Sequence, residues 1–254
     1  MLYRVLTLGF KRPSPPGVTS ATSAGARAAL EAAALLDSRR AAAEPLLPAV
    51  EALTGLATPS VRDLDEVYAR LFGHTCGLIC PFETEYGMGA WFRQPHELAD
   101  IAGYYLAFGL RPAVGIDERV DHVACECEFM DFLARKEAFV LASGRAAGGP
   151  TAAEAIFLLE AVRAAGRRFL RDHLARFGRA FAARLMREDE GGFFGRAGAV
   201  LFCFLGLDCE RLGVPPGPPT LELRPPAPDD VPMTCGASCG VAAELIQIQR
   251  RGGP

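Results

Sequence analysis

A cluster of polar residues, Glu118, Asp121 and His122, leads into an apolar stretch that continues to Ala142. Glu128 recurs at a helical step from these residues, so acidic groups collect on one side of a predicted core helix. Such carboxylates can simply stabilise a helix N-terminus, or they can accept charge-assisted hydrogen bonds from a guanidinium or a backbone amide. No serine, cysteine or second histidine accompanies His122 at a recognised catalytic spacing. We therefore predict a binding site and no enzyme.

A second candidate region is a loop that begins near Gly73 and is rich in Gly, Pro and Thr. It carries Pro81, Phe82, Glu83 and Tyr86, and Trp91, the only tryptophan of the chain, follows five residues later. Aromatic side chains in a loop either anchor it on the core or form the floor of a groove for an apolar peptide. Both interpretations remain open from these residues alone.

The eight cysteines include three close pairs, none with the C-x2-C spacing of a zinc ribbon or a thioredoxin-like site: Cys76 with Cys80, Cys125 with Cys127, and Cys235 with Cys239. Cys125 and Cys127 lie within the predicted core helix, which favours buried thiols. Cys235 and Cys239 lie among glycines and could present two thiolates. They provide the alternative hypothesis, a metal- or redox-active cysteine protein; otherwise we expect no metal and no cofactor.

Charge and hydropathy exclude several classes of function. The formal net charge of the 254 residues is -3, which argues against nucleic acid and favours a partner that carries positive charge. Charged residues interrupt every apolar run before the roughly 18 to 20 residues that a membrane span needs. No export signal is visible at the amino terminus, so we expect a cytoplasmic location. Phosphate-binding loops and zinc-hydrolase motifs are absent from the sequence as well.

The elements that must position these residues are helices, because no stretch of alternating β-branched residues indicates a strand. We predict an all-α, single-domain bundle of about ten helices, with an N-terminal segment at 1–24, the helical domain at 25–210 and a Pro-rich tail at 211–254. Ser60 is a predicted N-cap, Thr151 and Glu154 form a predicted capping box, and Gly109 fits a helix stop. A long amphipathic segment follows Thr151, with an interruption expected near Gly166 or Gly178. We expect the last buried helix at 193–207 and an extended or disordered tail after Arg211.

Five segments, in order, resemble the TorD/DmsD/NarJ group of redox-enzyme maturation chaperones. They are the YARLF segment at 68–72, PFETEY at 81–86, LADIAGYY at 98–105 with FGL at 108–110, ERVDH at 118–122 with ECEFM at 126–130, and FLRDHL at 169–174. Each segment is short, and the specificity comes from the ordered set. Val120 occupies a position where the family tends to have proline.

The resemblance implies an all-helical, cytoplasmic chaperone that holds a molybdopterin-containing oxidoreductase subunit. It also implies binding of the twin-arginine signal peptide of that subunit, so that export waits for cofactor insertion. Molybdenum-cofactor biosynthesis proteins are left open as further partners. By motif position, Asp121 and His122 are similar to the signal-binding pair of the family. Pro81, Phe82, Glu83 and Tyr86 are similar to its loop contribution.

Overall fold

The computed structural model of the chain describes residues 1–14, 25–39, 44–57, 59–73, 78–87, 93–111, 118–143 and 151–224. Within these ranges there are nine α-helices and no ladder of paired strands, which confirms the all-α class. The helices are α1 Leu2–Phe10, α2 Ala26–Ser38, α3 Leu46–Thr54, α4 Val61–Phe72, α5 Gln94–Ala107, α6 Val123–Ser143, α7 Ala152–Phe169, α8 Ala175–Glu188 and α9 Phe193–Leu212. A 3-10 turn at Glu83–Glu85 and a π-helical turn at Leu170–Leu174 complete the regular structure of the described residues.

Local sequence signals set several helix ends. The Ser60 hydroxyl accepts a hydrogen bond from the backbone N–H of Asp63 and so caps α4, as predicted. Thr151 and Glu154 form both bonds of a capping box at the start of α7. Gly109 has a φ of 74°, a left-handed conformation that favours glycine and ends α5.

The centre of the bundle is α9, which packs along α8 and also contacts α1 and α3, while α6 packs against α1 and α7. Leu6 and Phe10 of α1 are almost fully buried, and the Phe10 ring contacts Phe181 of α8 edge to face. The described bundle therefore includes α1, which precedes the helical domain predicted at 25–210. The apolar side of α1 is part of the core.

The long amphipathic segment is interrupted by the π-helical turn at Leu170–Leu174, between the two glycines where we expected the break. Gly166 and Gly178 lie inside α7 and α8, and both are buried. A Cβ on Gly178 would lie 2.5 Å from Leu205 Cδ1, so this glycine permits close helix packing instead of a bend. The interruption therefore lies between the two positions near which it was expected, at residues that include neither glycine nor proline.

The chain after α9 contains no further helix from Val214 to Arg224, and its end lies against the loop that precedes α5. Tyr86 and Leu223 form an isolated antiparallel bridge, and the N–H of Gly87 donates to the Glu222 carbonyl at 2.8 Å. The last helix ends at Leu212, five residues later than predicted. Cys235 and Cys239 lie outside the described residues.

No helix in the described ranges is both long enough and apolar enough to cross a bilayer.

Candidate functional site

The structure brings the two predicted motif regions together. Phe82 and His122 form an antiparallel bridge, the Glu83 N–H donates to the Asp121 carbonyl, and the Val123 N–H donates to the Pro81 carbonyl, both at 2.9 Å. The loop is thus bonded by its backbone to the turn that opens α6. Pro81 is buried beside this contact. The motifs form one structural unit.

The Asp121 carboxylate is completely buried, and groups of this chain bind both of its oxygens. Oδ2 accepts from the backbone N–H of Thr84 at 3.1 Å, from the Thr84 hydroxyl at 2.8 Å and from Arg119 Nη2 at 2.9 Å. Oδ1 accepts from Arg119 Nε at 3.0 Å. These bonds satisfy the charge of Asp121 internally.

Arg119, which was not among the predicted site residues, links the two motifs. Its guanidinium lies 4.3 Å from the centroid of the Phe82 ring, and it donates to Glu85 Oε1 at 2.9 Å and to the Thr84 hydroxyl at 2.8 Å. The signal in the sequence was a single basic residue within an acidic run, opposite a loop with two glutamates. At Asp121, Arg119 thus occupies the position that was predicted for the guanidinium of a partner.

His122 is a buried, neutral imidazole. Its Nδ1 accepts a hydrogen bond from the Ala124 N–H at 3.1 Å, which places the ring proton on Nε2, 3.4 Å from Glu118 Oε1. Burial lowers the pKa of His122 to about 4, and Asp121 opposes this shift. The side chain thus completes the first turn of α6.

A second buried network holds the loop from its other side. The Glu83 carboxylate lies 3.1 Å from His173 Nδ1 and 3.3 Å from Arg176 Nη1, and His173 belongs to the π-helical turn. Glu126 is fully buried next to it, and no described group donates a hydrogen bond to either of its oxygens. Burial and the Glu83 charge raise the pKa of Glu126 well above its usual range. The raised pKa favours the protonated form of Glu126 beside the Glu83 carboxylate.

Among the predicted site residues that the structure describes, Glu118 alone lines a cavity between α1 and α6. This α1–α6 cavity has a volume of about 660 Å³, within the range of ligand pockets. Its apolar wall consists of Tyr105, Leu110, Val120, Cys125, Phe129 and Phe132. Its charged lining consists of Arg4, Lys11, Arg12, Arg111, Glu118, Glu128, Asp131 and Arg135.

Glu83 and Tyr86 contribute to a smaller cavity of about 310 Å³ on another side of the loop, with Arg171, Arg176 and the extended chain from Pro215 to Leu221. Tyr86 is nearly inaccessible, and its hydroxyl donates to the Cys80 carbonyl at 2.7 Å. The structure therefore does not gather the predicted residues around one opening. Trp91 lies outside the described residues.

The five described cysteines have the properties of buried or half-buried thiols. Burial raises the pKa of Cys80 to about 11 and that of Cys125 to about 12, so both are protonated near neutral pH. The described part of the chain contains no group of three or more His, Cys, Asp or Glu residues placed to hold a metal ion. Cys76, Cys235 and Cys239 lie outside that part.

Comparison with known protein families gives a match to the model described as nitrate reductase delta subunit, over residues 32–183. The match covers more than half of the chain and includes the loop at 81–86, the turn at 118–122 and the π-helical turn. Comparisons with curated proteins and with solved structures gave no match.

Proposed function

The chain belongs to the nitrate reductase delta subunit family, a group of maturation chaperones for molybdoenzymes, and we propose that it holds the catalytic subunit of such an enzyme until the molybdopterin cofactor is inserted. The proposed contact is the amino-terminal segment of the client, which in an exported enzyme carries twin arginines followed by an apolar helix. In this proposal the protein acts in the cytoplasm and catalyses no reaction.

The observation that carries the proposal is the α1–α6 cavity, which combines an apolar wall with three carboxylates and five basic side chains. Phe129 and Phe132 come from α6 and Tyr105 from α5, while Glu118 stands at the start of α6. Burying one Leu or Phe of a client contributes about 1.5 to 3 kcal/mol, whereas an exposed ion pair contributes about 0 to 1 kcal/mol. Apolar contact therefore provides most of the affinity, and the carboxylates select arginine and fix its position.

The predicted residues divide into two roles under this proposal. Glu118 meets a client arginine directly, because its carboxylate is half-buried and lines the cavity. The other described members of the motifs, Asp121, His122, Pro81, Phe82, Glu83 and Tyr86, act by fixing the loop and the turn that carry Glu118. Trp91 stays a proposed client contact on its residue type alone.

A peptide titration tests this function. A labelled peptide with twin arginines and an apolar helical segment is titrated with the full-length chain, and fluorescence anisotropy gives the Kd. We expect Phe132→Ala to weaken binding about tenfold, since it removes an aromatic ring from the cavity wall. Phe139→Ala is the matched control, because Phe139 lies on the same helix, is 70% exposed and does not line the cavity.

The two variants separate the possible results. Equal affinities for Phe132→Ala and Phe139→Ala would remove the α1–α6 cavity from the site. A peptide with both arginines replaced by alanine should bind more weakly than the parent. No measurable binding of any peptide would contradict recognition of the client by its amino-terminal segment.

A further inference from the structure

The charges that α1, α6 and the turn before α6 contribute to the α1–α6 cavity are separated along its length, and Arg111, which follows α5, is a further cation of the lining. At one end lie Glu118 and Glu128, and the Lys11 ammonium lies 2.7 Å from Glu128 Oε2. Arg12 also lines the cavity, but Asp65 binds its guanidinium at 2.8 and 3.1 Å and compensates its charge. Among the charges from α1, α6 and the turn before α6, this end, which we call the acidic end, has more carboxylate than free cation.

The opposite end is basic. Arg135 contacts Asp131 at 2.7 Å, and the backbone nitrogen of Met1 lies 4.0 Å from Asp131, which brings the first turn of α1 and its Arg4 to this end. Arg4 is exposed, and among the described residues it has no hydrogen-bond or ion-pair partner. Two guanidiniums thus accompany one carboxylate here. We call this the basic end and define it by Arg4, Asp131 and Arg135.

Helix geometry gives the distance between the two ends. Because Lys11 contacts Glu128 and the start of α1 lies at Asp131, α1 and α6 run antiparallel beside the cavity. Seven residues separate Glu128 from Arg135, which at 1.5 Å per residue corresponds to about 10 Å. The aromatic wall formed by Phe129 and Phe132 lies between them. A helical peptide of about two turns spans this length.

We propose that a client helix lies in the α1–α6 cavity in one direction, with its amino-terminal arginines at Glu118 and Glu128 and its carboxyl-terminal end at Arg4 and Arg135. The inference rests on the proposed function and adds a direction to it. Arginine side chains meet carboxylates at the acidic end. The negative end of the helix dipole, and any acidic residue in the last turn of the client, meets guanidiniums at the basic end.

The opposite direction is disfavoured at both ends. Client arginines would then face Arg4 and Arg135, and the negative helix terminus would face Glu118 and Glu128. Like charges placed next to each other reduce affinity and suppress the wrong register. The aromatic wall has no such polarity, so charge alone selects the direction.

The test is a double-mutant cycle with the full-length chain and acetylated, amidated peptides, which carry no terminal charges. The parent peptide has twin arginines, an apolar helix and one glutamate in its last turn, and its partner has glutamine in place of that glutamate. We expect Arg4→Gln to weaken binding of the glutamate peptide about threefold to fivefold and to leave the glutamine peptide within a factor of 1.5. Arg27→Gln is the control, because Arg27 is 92% exposed on α2 and does not line the cavity.

Photo-crosslinking gives a second measurement of direction. A benzoylphenylalanine placed before the arginines should attach near Lys11 and Glu118, and one placed after the apolar segment should attach to the first turn of α1. Two results would overturn the direction and leave the proposed function intact. One is that Arg4→Gln reduces the affinity for both peptides equally, and the other is that the two crosslink positions are exchanged. Absence of binding by every peptide would overturn both.

Discussion

Two neighbouring surfaces of the molecule share the turn that opens α6 but differ in how their charges are used. Around Asp121, the loop at 81–87 and the turn are cross-linked by Arg119, and little of that polar capacity faces outward. Around the α1–α6 cavity, Lys11, Glu128 and Arg135 remain accessible, and Arg4 is exposed with no partner among the described residues. Under the proposed function, the residues most similar to a binding motif build the site, and the neighbouring α1–α6 cavity meets the client.

The largest effect should come from disrupting the contacts around Asp121 that Arg119 cross-links, which we call the closed region. Asp121→Ala leaves the Arg119 guanidinium and the Thr84 N–H without their acceptor, so we expect a loss of about 3 kcal/mol in the free energy of unfolding, given that Arg119 is partly exposed. Urea denaturation followed by circular dichroism measures it. The control is Asp65→Ala, which removes an exposed pair with Arg12 and should change stability far less. Similar losses for the two variants would mean that Asp121 does not hold the loop.

Acidification should weaken the closed region through His122. The imidazole has a pKa of about 4 in the folded state and about 6.5 when unfolded, so the unfolded chain binds the extra proton first as the pH falls. Stability from this group is complete above pH 6.5 and is lost between about 6.5 and 4, by up to about 3 kcal/mol. Stability of His122→Asn should depend less on pH in this window. An unchanged slope in urea denaturation would contradict a buried, neutral His122.

Glu126 should make the free energy of unfolding change with pH in the opposite direction. Its pKa is raised in the folded state, so the unfolded chain ionises first as the pH rises above about 4.5, and the folded protein loses stability relative to it. Glu126→Gln keeps the size of the side chain and removes the titration. The variant should gain stability relative to the original chain as the pH rises from 5 to 8. A constant difference across this range would argue against a protonated Glu126.

The smallest effect on stability is expected for Glu118→Gln. This substitution tests the α1–α6 cavity alone. The side chain lines the cavity and is not part of the cross-linked loop, so unfolding should hardly change. Affinity for a twin-arginine peptide should fall about threefold to tenfold, because a charge-assisted contact becomes a neutral one. Glu118→Asp keeps the charge and serves as the matched control. Equal affinity of Glu118→Gln and the original chain would place the client arginines elsewhere.

The all-α class and several helix ends could be predicted because their signals are local. Ser60, the capping box at Thr151 and the stop at Gly109 each depend on residues within one helical turn. The interruption at Leu170–Leu174 left no such signal, since neither proline nor glycine occurs there. The packing role of Gly178 depends on Leu205, a contact between two helices that periodicity does not specify.

The candidate site was predictable in part for the same reason. The ordered motifs identified the loop and the turn, which the structure brings together at Phe82 and His122. They did not show that Arg119 already binds Asp121, because the sequence of an acidic run is the same whether its cationic partner belongs to this chain or to another protein. Nor did they point to Arg4, which reaches the cavity only because α1 packs antiparallel to α6.

Hydrogen exchange of the full-length chain, with and without the twin-arginine peptide, tests the central claim most directly. The account predicts that bound peptide slows exchange in α1 and in the first half of α6, the elements that border the α1–α6 cavity. Exchange in the loop at 78–87 should stay the same, since Asp121 and Arg119 already hold it. Protection confined to that loop, with no change in α1, would contradict the account and would indicate that the client binds at the loop.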